Sequence, residues 1–139
     1  MAETNAQICA RLDEIAKDQR NGIQEMEASV GRYNSDISTQ QHSINELERE
    51  ERIAESEKNS ARLAVTLGGR LRLRAPGTAA ATAALTRAEI KLTNIRAKLS
   101  SAKSRLSNLI RQRDRFQKEL NNFRGNLPTT IAEMNARGC

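Results

Sequence analysis

Two apolar stripes, each stepping by alternating three and four residues, constrain this chain more than any other feature. The first runs Leu12, Ala16, Gln19, Ile23, Met26, Val30, Tyr33, Ile37, Gln40, Ile44, Leu47, Glu51, Ala54, Lys58, Ala61 and Val65. The second runs Leu85, Ala88, Leu92, Ile95, Leu99, Ala102, Leu106, Leu109, Arg113, Phe116, Leu120, Phe123 and Leu127. This alternation keeps every one of these side chains on a narrow helical face, the pattern of helices that meet along a seam. Between the stripes lies Gly68-Gly69-Arg70-Leu71-Arg72-Leu73-Arg74-Ala75-Pro76-Gly77, rich in turn-forming residues. The pattern predicts an all-α fold: one long antiparallel two-helix coiled-coil hairpin with a basic loop at its tip.

Composition agrees with a thin core. Aromatic residues are only 2% of the chain and Trp is absent, whereas a compact globule of this length fills its centre with large rings. Charged residues reach 29%, as in long coiled coils. The net charge of +6 is unevenly spread. Residues 1–66 hold 8 basic and 13 acidic side chains, a net −5, while residues 79–139 hold 12 basic and 4 acidic, a net +8. Arg70, Arg72 and Arg74 supply the remaining +3. No apolar run approaches the ~20 residues of a membrane span. The start, Met1-Ala2-Glu3-Thr4-Asn5, lacks the features of a classical signal peptide. Cys9 and Cys139 are too few for a disulfide framework. The expected setting is cytoplasmic or within a larger particle.

The predicted boundaries make residues 1–139 a single domain. Thr4 and Gln7 form a capping box that starts helix 1 near residue 5, and Gly68-Gly69 ends it at about 67. The tip loop covers 68–78. Helix 2 opens on the alanine-rich run after Thr78, runs over about 79–124 and stops before Gly125 and Pro128. Thr130 with Glu133 opens a short C-terminal helix within 128–138, after Pro128. Even so, Leu127, Ile131 and Met134 keep a helical apolar spacing across that proline.

A turn centred near Leu73 aligns the two stripes layer by layer. Ala61 meets Leu85, Ala54 meets Leu92, Leu47 meets Leu99 and Ile44 meets Ala102. Further from the turn, Ile37 meets Leu109, Val30 meets Phe116, Met26 meets Leu120 and Ile23 meets Phe123. Ile95 and Leu106 complete the seam. Small residues repeatedly oppose large ones, which fills a seam without voids. Tyr33 falls beside Arg113, a cation–π geometry. Leu12 falls beside Met134, and Cys9 near Cys139. Cys9 reads as a small apolar filler. The alternative is a Cys9–Cys139 bridge across the open end, which two free thiols in the native protein would rule out. The glutamates from Glu46 to Glu57 face Lys91, Arg96 and Lys98, and opposite charges beside a seam select direction and partner. Ile8, Ile15, Ile53, Leu63, Ile90 and Ile110 widen the apolar edge.

Functional chemistry is sparse. His42 is the only histidine and takes an outward position, so no metal site is expected. Gly68-Gly69 is too short for a phosphate loop, and no nucleophile–base pair is present. No cofactor and no enzymatic activity are expected. The tip residues Arg70, Leu71, Arg72, Leu73 and Arg74 alternate basic and apolar, which suits docking on a partner. A two-helix hairpin buries one face of each helix, so protein partners, the chain's own copies included, are expected to cover more of it. The favoured function is a non-catalytic structural or adaptor subunit of a large assembly, such as a virion or secretion machine. The alternative is a nucleic-acid-binding accessory protein that uses basic helix 2 and the arginine tip. The shortage of aromatics for base stacking weighs against the alternative.

Overall fold

The structure, a computed structural model, describes residues 3–70 and 75–139, the side chains of 69–70 and 75–78 excepted. The chain forms two long helices, α1 (Asn5–Arg70) and α2 (Ala75–Ala136), that pack against each other as an all-α helical hairpin. No strand occurs among the described residues. The internal contacts gather into two compact units, Met1–Ile37 with Asn108–Cys139, and Ser38–Ser107.

In the first unit, α1 begins on a reciprocal cap. The Gln7 backbone N–H donates to Thr4 Oγ1 at 3.2 Å, and the Thr4 N–H donates to Gln7 Oε1 at 2.9 Å. Two otherwise unpaired donors are thereby satisfied, which is why the helix starts here. Leu12, Ala16, Val30, Ile37 and Leu120 are buried, and Ile23, Met26, Leu109, Phe116 and Phe123 are half-buried. A disulfide joins Cys9 to Cys139 across 5.6 Å between Cα atoms. Cys9 is therefore a bonded cysteine and not the apolar filler its seam position suggested. Beside it, the Asn5 side-chain amide donates to the Arg137 carbonyl at 3.1 Å.

The expected stop of helix 2 near residue 124 and the separate C-terminal helix after Pro128 are both corrected. α2 runs through Gly125 and Pro128 to Ala136. Packing outweighs the lost N–H of the proline, because Leu127, Ile131 and Met134 are half-buried and Thr130 is buried on its two sides. Pro128 itself is exposed. Thr130 does not cap a new helix. Its hydroxyl donates to the Asn126 carbonyl at 3.2 Å, and the Thr129 hydroxyl reaches the Gly125 carbonyl at 3.5 Å. Both bonds tie the turns around the proline to one another.

Two glycines inside α1 behave in opposite ways. A Cβ on Gly22 would lie 2.8–3.0 Å from three ring atoms of Phe123, so the ring sits against bare backbone. Gly31 has nothing within 4 Å of that position. Gly31→Ala is expected to raise stability by about 0.5–1 kcal/mol through helix propensity. Gly22→Ala displaces the ring, and overpacking outweighs the same gain for a net loss of about 1 kcal/mol. Paired urea titrations of the two variants check both signs.

In the second unit, Ile44, Leu99 and Ala102 form a buried cluster with Leu47 and Leu106 packed against it. Ala54, Leu92 and Ile95 form another. The Gln40 amide, half-buried on the seam, donates to the Ala102 carbonyl at 3.2 Å and so meets its polar need. Gly68 and Gly69 do not end the first helix, which continues to Arg70. Gly68 is buried one seam step beyond Val65, so burial compensates the roughly 1 kcal/mol propensity cost of glycine. Pro76 falls in the first turn of α2, where a missing N–H costs nothing. The expected 68–78 loop is correspondingly shortened at both ends.

Candidate functional site

The two regions that the sequence marks for function are the tip and the seam. Leu71, Arg72, Leu73 and Arg74, with the Arg70 side chain, lie outside the described residues. Every residue of the two stripes is buried or half-buried, from Leu12 to Val65 on α1 and from Leu85 to Leu127 on α2.

Ion pairs flank the seam in both units. In the 38–107 unit, Lys91 Nζ lies 3.3 Å from a Glu57 carboxylate oxygen, and Arg96 lies 3.5 Å from Glu51 and 4.0 Å from Glu55. Lys103 lies 3.9 Å from Glu48. In the other unit, Arg124 pairs with Glu27 at 2.8 Å. These carboxylates and cations are mostly half exposed or more, so each pair contributes at most about 1 kcal/mol. Their main consequence is that acidic side chains of α1 occupy part of the cationic surface of α2. Lys98 faces this acidic block across a groove it shares with Glu50 but makes no ion pair among the described residues, and Lys103 pairs with Glu48.

The expected stacking of Tyr33 on Arg113 is also corrected. Tyr33 stacks on Phe116, with ring centroids 5.4 Å apart and planes 23° apart. Arg113 turns to Asp114 at 3.2 Å and to the Asn34 side-chain oxygen at 3.4 Å. Two half-buried rings gain dispersion and area together, while the guanidinium keeps a carboxylate and solvent.

Three of the apolar residues expected beside the seam are more than half exposed instead. Ile53, Leu63 and Ile90 do not widen the seam; they are 51%, 59% and 56% exposed. Each stands at an outward heptad position away from the seam, and helical geometry outweighs hydrophobicity in setting its exposure. Ile8 and Ile110 are half-buried, as expected for seam-flanking residues. Gln19 Oε1 is buried with no hydrogen-bond partner, an uncompensated polar atom in the seam of the first unit.

Among the described residues, no group of three His, Cys, Asp or Glu side chains is placed to hold a metal ion. His42 is exposed. No helix among those described is long and apolar enough to cross a membrane. No protein-family model, curated protein or solved structure matches the chain.

Proposed function

We propose that this protein is a non-catalytic structural or adaptor subunit of a large macromolecular assembly, such as a virion, a secretion machine or a similar particle. In this reading the two helices form an antiparallel coiled coil. Its outer surfaces pack on copies of the chain or on neighbouring proteins, and the tip, Arg70 to Arg74, docks on a partner. The observation that carries the reading is the division of its apolar residues. One set is spent on a single narrow seam, and another set of large side chains, Ile53, Leu63, Leu67 and Ile90, stands open to solvent. Ile90 lines an open groove beside Glu50, one turn from Ile53, and apolar surface exposed together in one place binds other proteins.

The alternative is a nucleic-acid-binding accessory protein. It draws on the surplus of cations in residues 79–139. Against it, Lys91, Arg96, Lys103 and Arg124 are engaged with carboxylates of α1. Reversing Arg70, Arg72 and Arg74 to glutamate separates the two. The assembly reading expects an unchanged oligomeric state and no salt-sensitive binding of a DNA or RNA duplex by the parent chain. The alternative expects duplex binding that the reversal abolishes and that weakens steeply with salt.

A further inference from the structure

We propose that one flank of the 38–107 unit, the side bearing Ile53 and Ile90, is the contact surface for a second copy of this chain. The proposal deepens the reading above, because it names the surface by which copies pack.

The flank is built from two strips of equal spacing. On α1, Glu46, Glu50, Ile53 and Glu57 follow one another at steps of four, three and four, so they share one helical face. On α2, Arg87, Lys91, Asn94 and Lys98 repeat the same steps. Three glutamates on one helix therefore match three cations on the other. Glu50 and the α2 strip line one open groove, which places both strips on the same side of the unit. Ile90 lines that groove, and Ile53 stands one turn from Glu50.

Internal pairing leaves this flank unsatisfied. Glu57 holds Lys91 at 3.3 Å, but Glu46, Glu50, Arg87 and Lys98 make no ion pair among the described residues. The opposite flank differs. There Glu48, Glu51 and Glu55 are matched with Lys103 and Arg96 within the chain.

A two-fold axis parallel to the helices lays the acidic strip of each copy on the basic strip of the other. Glu50 then faces Lys98 of the second copy, and Ile53 comes within about a turn of Ile90 of the second copy. Turning one copy end for end instead sets glutamates on glutamates, which like-charge repulsion disfavours. Charge thus selects one closed, self-complementary arrangement of four helices, and the isoleucines give it a desolvated centre.

The test is sedimentation equilibrium of the full, oxidised chain. The parent protein is expected to be a dimer, and Ile53→Asp to raise its dissociation constant by roughly tenfold or more. Ile53 is solvent-exposed, so helicity by circular dichroism should not change. Two charge variants remove any dependence on that substitution. A Glu46→Lys/Glu50→Lys chain and an Arg87→Glu/Lys98→Glu chain should each be monomeric, and their mixture should form a one-to-one heterodimer. A monomeric parent overturns the proposal. Charge variants that dimerise alone as well as the parent also overturn it, but they leave an oligomer formed elsewhere and so leave the assembly reading standing.

Discussion

Reducing the Cys9–Cys139 bond lowers the melting temperature by about 10–15 °C. The bond joins residues 130 apart in sequence, nearly the two ends of the chain. Closing so long a loop removes entropy from the unfolded chain, worth about 4–5 kcal/mol on the chain-entropy account. For a protein of this length about 1 kcal/mol moves the transition by roughly 3 °C. The structural context makes the bond matter further. It fixes the start of α1 against the end of α2, just beyond the turns that bracket Pro128. Calorimetry with and without a thiol reductant measures the shift. A Cys9→Ser/Cys139→Ser chain should melt where the reduced parent does and ignore the reductant. A shift below about 2 °C would show that the bond does not hold this end together.

Leu92→Ala is expected to cost about 3 kcal/mol, the largest loss for any single truncation in the seam. Leu92 is 2% exposed and packs with Ala54, itself fully buried, and Ile95. The alanine it packs with cannot grow into the space. Truncation then loses the transfer energy of the side chain and leaves a cavity. Ile53→Ala, at a residue 51% exposed, should change stability by less than about 0.5 kcal/mol. Urea unfolding of both variants, with unchanged denaturant dependence, gives the comparison. Equal losses would mean that the seam is not where this protein keeps its stability.

The hairpin of two packed helices was legible in the sequence because a three–four alternation has only one good physical solution. The helix start was legible too, since Thr4 and Gln7 need little beyond each other. What the sequence concealed are cases where packing outweighs a local preference. Pro128 and Gly125 signal a stop, yet Leu127, Thr130, Ile131 and Met134 gain more by staying on the seam. Gly68 signals a cap, yet its missing side chain suits burial at the next seam step. Tyr33 had two neighbours on offer one turn apart, and pattern alone does not choose between Arg113 and Phe116. The pairing rule brings Cys9 close to Cys139, but two cysteines alone do not decide between a bridge and an apolar filler, and the structure shows the bridge. The hydrophobicity of Ile53 and Ile90 suggests that they widen the apolar edge, whereas their heptad positions turn them away from it.

Light scattering coupled to size-exclusion chromatography tests the central claim most directly, on oxidised protein freed of nucleic acid, at low and high salt. The account predicts a dimer or higher oligomer at both salts, because exposed charges set the orientation while buried apolar area supplies the stability. A monomer at both salts that recaptures nucleic acid only at low salt would contradict it.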